Sequence, residues 1–178
     1  MKQLHLSFAP PEKWRNERQT KKLKSEEWQI LRKKILENFN YTCSYCGYKS
    51  YKYQIADHID GNPENNVDSN LQVICQMCNL IKHSGQGCEI QGVVDLYRKS
   101  KYNQNAIIKI TRKMRNEGLS DSEIMRVLEL KEKVPFKMNS EYLKKLFGFV
   151  SSRNPLNKDM YHHWLQYYKK LLLNNPVL

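Results

Sequence analysis

The sequence predicts an α+β fold, with a small module of strands and turns held between helical flanks. Three observations predict it. Four of the five cysteines form two C-x-x-C pairs, "CSYC" at Cys43 and Cys46 and "CQMC" at Cys75 and Cys78, on either side of residues 47–74. Between the pairs, a β-branched and aromatic stretch, "YKYQIADHI", gives way to turn formers, "DGNPENN". Outside the pairs, apolar residues recur at helical spacing among Lys and Arg. A chain of 178 residues suits one domain, or a small module with extensions. The expected division is 1–37, 38–97 and 98–178.

From the N-terminus, Trp28, Leu31 and Ile35 mark one stripe of a basic amphipathic helix, so residues 1–37 read as a helical arm. It either packs on the central module or grips phosphate. The module follows. Two thiolates on one tight turn occupy adjacent corners of a tetrahedron, and a second such turn completes it and shuts out water. Cys43, Cys46, Cys75 and Cys78 therefore read as a structural zinc site, with a redox pair or disulfides as the competing reading. Gly47 suits the turn around the metal. Cys88 is left over and reads as a buried thiol. A strand ends near His58, "SNLQVI" leads into the second pair, and "CNLIKH" opens a helix.

Beyond the module, the stretch from Arg98 to Arg115 holds Arg98, Lys99, Lys101, Lys109, Arg112, Lys113 and Arg115 and no acid. With Tyr97, Tyr102 and several isoleucines interleaved, it reads as a helix with one core face and one basic face. In "EGLSDSEIMRVLEL", Ser120 and Glu123 form a capping box, as in many helix-turn-helix units and in ordinary helical hairpins. Two further apolar stripes follow, Tyr142, Leu143, Leu146 and Phe147, then Trp164, Leu165, Tyr168 and Leu171, broken by "SSRNPLN". They read as the core of a helical C-terminal subdomain, or as a groove for a partner helix.

Lys and Arg number 30 against 18 Asp and Glu, a net +12 that favours a polyanionic partner such as nucleic acid. Residues 41–97 hold three basic residues against six acidic ones, so the surplus lies in the flanks. That distribution suits chemistry at the centre with backbone grip from either side. No signal peptide and no apolar run of membrane-spanning length is evident, so a cytoplasmic protein without membrane insertion is expected.

The ordered set C-x-x-C, D-H-I, N-L and C-x-x-C-N-x-x-K, over residues 38–84, resembles the HNH endonuclease module with its ββα-metal core. The resemblance implies metal-dependent hydrolysis of DNA, with the zinc as a brace behind the active site. Residue by residue, it implies that Asp57 binds a catalytic Mg²⁺ or Mn²⁺ and that His58 is the general base. Asn70 would then fix His58 across the loop. Asn79 stands where the motif has its final His and would complete the metal site through its amide oxygen. Lys82 matches the basic residue after it. Asn79 reads equally as a helix cap, in which case His83 is the substitute ligand. The order of zinc module, basic helix, "GLSDSEI" turn and aromatic C-terminal segment also resembles the DotN (IcmJ) group, HNH-like subunits of type IVB secretion coupling complexes. That likeness implies a second function, binding a protein partner such as a secretion coupling ATPase without cleavage.

Overall fold

In the computed structural model, residues 1–9 and 17–156 are described. The first nine residues are not part of a helical arm. They lie extended because Leu4 and Leu6, alternating with polar neighbours, are both buried, and the strap is stitched down along its length. Lys2 N–H donates to Ser44 O (3.0 Å), Leu4 N–H to Asn105 Oδ1 (2.8 Å), and Ser7 O accepts from Ser84 N–H (2.8 Å). The helical part of the expectation holds from α1 (Glu17–Lys22) and α2 (Glu26–Asn38) onward. Ser25 caps α2 by accepting from Trp28 N–H. Its apolar stripe seats Ile35 and Leu36 against Ala56, Leu71 and Val73, with Trp28 and Leu31 alongside.

Strands β1 (Gln54–His58) and β2 (Leu71–Cys75) pair antiparallel, with Asp57 opposite Gln72 and His58 opposite Leu71. Helix α3 (Gln76–Lys82) leaves the end of β2 directly, so the centre of the chain is a strand–strand–helix unit. This is the mixed helix-and-sheet module that the sequence predicts.

The C-terminal part departs from the helical expectation. Strand β3 (Val94–Lys99) starts the basic run, and only then does α4 (Gln104–Asn116) begin. Helix α5 (Asp121–Leu128) follows, opened by the capping box of Ser120 and Glu123. Strand β4 (Lys131–Val134), the short α6 (Ser140–Lys144) and β5 (Phe147–Val150) complete a three-stranded antiparallel sheet in the order β4-β3-β5. The stripe Tyr142, Leu143, Leu146, Phe147 is thus split between α6 and β5. The strand is closely packed: a Cβ at Gly148 would come within 2.5 Å of Ile81 Cδ1 and 3.0 Å of Leu6 Cδ2. A helix there would also forfeit the pairing of Val94 with Val150 and Leu96 with Gly148. The stripe from Trp164 to Leu171 lies outside the described residues.

One apolar cluster joins Leu4, Leu6, the four paired cysteines, Ile81, Leu96, Ile108, Leu143 and Val150. Strand β3 runs straight through positions 97 and 98, so the zinc module and the second sheet share a core. The basic run is also less solvated than its composition suggests. Arg112 reaches Cys75 Sγ, and Arg115 is bound by Asp121 (2.7 Å) and by Val150 O, whereas Lys113 stays exposed. Among the described residues no helix is long and apolar enough to cross a membrane.

Candidate metal centre and active site

The first cysteine pair sits on the turn after α2. Gly47 N–H donates to Cys43 O (2.9 Å), and the left-handed backbone at Gly47 (φ +73°) is one that glycine adopts without strain. The second pair is set by β2 and α3: Cys75 ends the strand and is the N-cap of the helix, and Cys78 lies in its first turn. The four sulfurs fall within 4.8 Å of one another, and all four residues are buried. Sulfurs at the corners of a zinc tetrahedron stand about 3.8 Å apart for a Zn–S bond of about 2.3 Å; Cys46 and Cys75 Sγ are 3.6 Å apart. That is far beyond a disulfide bond, and all four thiols are free, which removes the disulfide reading. Contacts among the sulfurs hold the Cys43 thiol far below its ordinary range, while Cys43 and Cys46 push Cys75 and Cys78 far above theirs. Thiolates this close repel one another, and a bound cation would offset that repulsion. A closed set of four soft donors fits structural zinc.

Asp57 and His58 are neighbours on β1, so their side chains leave opposite faces. Asp57 points to α3. Its Oδ2 accepts from Lys82 Nζ (2.6 Å) and Gln72 Nε2 (2.8 Å), and its Oδ1 stands 3.6 Å from His83 Nε2. Burial alone would push this carboxyl up, but His83, Lys82 and Gln72 together outweigh burial and hold it below the usual carboxylate range. It is an ionised, largely buried carboxylate. Lys82 Nζ also donates to His58 O (2.7 Å), tying the end of β1 to the end of α3.

His58 points to α2. Its ring stacks on Trp28, centroids 5.6 Å apart at 15°, and its Nε2 is 2.8 Å from Asn66 Oδ1. That amide oxygen can only accept, so Nε2 is the donor in this contact. Asn66 is held by the loop it belongs to. Asn70 Nδ2 donates to Asp60 Oδ1 (2.9 Å) and Asn65 O (2.8 Å), while Asn70 Oδ1 accepts from Asp60 N–H (3.1 Å). Donors from the Asn62 backbone, Asn65 and Asn70 hold the Asp60 carboxyl down to about 2. Asn70 therefore acts on the loop, one step removed from His58.

Asn79 lies inside α3, whose N-cap is Cys75, so it is not a cap. Its carbonyl accepts from His83 N–H (2.9 Å), and the two residues are one turn apart on the Asp57 side of the helix. Among the described residues it is His83, not Asn79, that meets Asp57. Sequence reasoning missed three further participants. Asn66 was hidden in turn chemistry, Trp28 in a helix stripe and Gln72 in a buried strand; none carries a local signal of its role.

Two comparisons with known proteins bear on this chain. DotN of Legionella pneumophila subsp. pneumophila, a type 4 apparatus protein, is 36% identical over 53 residues, which are 30% of this chain and 25% of DotN. The chain thus aligns with about a quarter of that relative's length. Residues 43–85, from the first zinc cysteine to just beyond α3, match the HNH endonuclease family.

Proposed function

We propose that the module is a metal-dependent nuclease that hydrolyses DNA phosphodiester bonds. The observation that carries this reading is the likeness of residues 43–85 to the HNH endonuclease family, over a stretch that holds an ionised Asp57 carboxylate and a His58 imidazole bonded to Asn66. Asp57, with His83 and Asn79 of α3, supplies the oxygen and nitrogen donors that would hold a hard divalent ion. Such an ion would contribute charge neutralisation at the scissile phosphate and at the leaving oxygen. His58 takes a proton from water as the water oxygen bonds to phosphorus. The P–O bond to the departing sugar oxygen breaks, and that oxygen leaves with a proton drawn from solvent. The stack on Trp28 and the bond to Asn66 hold the imidazole in orientation before the reaction.

Supercoiled plasmid with Mg²⁺ or Mn²⁺, beside a chelator control, tests the proposal. Nicking is expected for the wild type. His58→Ala should slow it by about 10²–10⁴-fold, and Asp57→Ala comparably, with zinc content and DNA affinity retained. Absence of nicking with every divalent ion sinks the proposal. One observation favours a second reading, a non-cleaving scaffold within a protein assembly. Asp57 is already paired with Lys82, and His58 is only 5% exposed, so both groups have partners within the chain. The likeness to DotN supports this reading too, and an inactive protein that co-purifies with a coupling ATPase would establish it.

A further inference from the structure

Arg112 belongs to the basic run of α4, yet its head turns inward. Its Nη2 donates to Cys75 Sγ (3.2 Å), and its guanidinium carbon lies 3.7 Å from the centre of the Tyr48 ring. Tyr48 directly follows the first cysteine turn and is fastened there, since its carbonyl accepts from Cys43 N–H (3.0 Å) and Gln54 Nε2 (2.8 Å). The guanidinium is thus clamped between an aromatic platform on one cysteine turn and a sulfur on the other. Its Nε is buried with no hydrogen-bond partner among the described residues.

A divalent ion held by four thiolates retains a net double negative charge. All four cysteines are buried, and buried charge is costly unless it is paired. We infer that Arg112 is the counter-cation of the zinc centre. Its N–H draws electron density from the Cys75 thiolate, and its charge offsets part of the cluster's excess. It also fastens α4, and with it the second sheet, to the metal. A basic residue that composition assigns to a DNA-binding face thereby becomes part of the metal site. Groups outside the ligand set commonly tune metal affinity by about 10–100-fold. The inference is independent of whether the module cleaves DNA.

The test uses the full-length, zinc-loaded protein. Zinc transfer to a chromophoric chelator is timed for the wild type, Arg112→Ala, Arg112→Lys and Lys113→Ala, the last removing an exposed charge one residue away. Arg112→Ala should release zinc at least about tenfold faster, Arg112→Lys should recover part of the difference, and Lys113→Ala should match the wild type. In cobalt-substituted protein, loss of the N–H donor should move the sulfur-to-metal charge-transfer band of Arg112→Ala to lower energy. A merely structural Arg112 would leave that band in place. Wild-type release together with an unmoved band overturns the inference, as does equal acceleration by Lys113→Ala. If Arg112→Ala does not fold, Arg112→Gln decides on the same two readouts.

Discussion

The zinc cluster and the Asp57–His58 pair both draw on the strand–strand–helix unit, and they are built in opposite ways. The cysteines come from two distant turns and converge, with four sulfurs within 4.8 Å of one another. Asp57 and His58 are adjacent in sequence and diverge, one toward Lys82 and His83 on α3, the other toward Trp28 on α2. The convergent site takes its geometry from the metal it suits, because tetrahedral coordination itself dictates where the sulfurs go, and Arg112 adds charge from α4. The divergent site depends on whatever each face of the strand meets. Its charge balance is supplied by α3 and its imidazole is covered by α2 and the 59–70 loop. A brace can therefore persist while the chemistry in front of it is kept or lost.

The largest expected effect comes from breaking the convergent site. Cys75→Ser keeps the helix N-cap but removes a ligand, and the protein should lose its zinc and its cooperative unfolding. Structural zinc contributes on the order of 10 kcal/mol to small zinc modules. Metal analysis and thermal melting check this; a Ser variant that keeps one zinc and melts cooperatively would undo the contrast between the two sites.

Lys82→Met is the corresponding cut in the divergent site. Side chains of Lys82 and Asp57 are only 13% and 6% exposed, and removing one partner of such a buried pair costs about 3–5 kcal/mol. Zinc should remain bound. The loss should depend on pH in a definite direction. Asp57 titrates below its ordinary 3.8 in the folded protein, so the stability it contributes is present above that value. That contribution fades as pH falls through the lowered folded value. The gap between wild type and Lys82→Met in denaturant unfolding should accordingly narrow in acid. A gap that stays constant into acid would mean that Lys82 contributes packing rather than charge.

The smallest effect sharpens the same comparison at the surface. Lys113 is 77% exposed and 3.9 Å from Glu117 one turn on, a pairing worth a few tenths of a kcal/mol at most. Lys113→Ala should leave stability unchanged. If DNA lies on this face, the substitution should reduce the salt dependence of binding by about 0.9 for each phosphate that the lysine neutralises. An unchanged slope in a salt titration would assign Lys113 to solvent.

The sequence by itself determined what depends on short-range chemistry. Each C-x-x-C pair dictates a two-thiolate turn that suits a metal, Ser120 and Glu123 dictate a helix start, and "DGNPENN" dictates a turn, because each involves groups within a few residues of one another. The order of Asp57, His58, Asn70 and Asn79 was equally plain, though not which groups they touch. Tertiary structure alone decided that Lys82 neutralises Asp57, that Trp28 lies against His58, and that Arg112 leaves the basic face for Cys75. It also turned "FGFV" into a strand, since β5 pairs with β3 through Val94–Val150 and Leu96–Gly148. Each of these pairings joins residues far apart in the chain, and whether an ionisable side chain meets solvent, a counter-charge or a sulfur is settled only when distant elements pack.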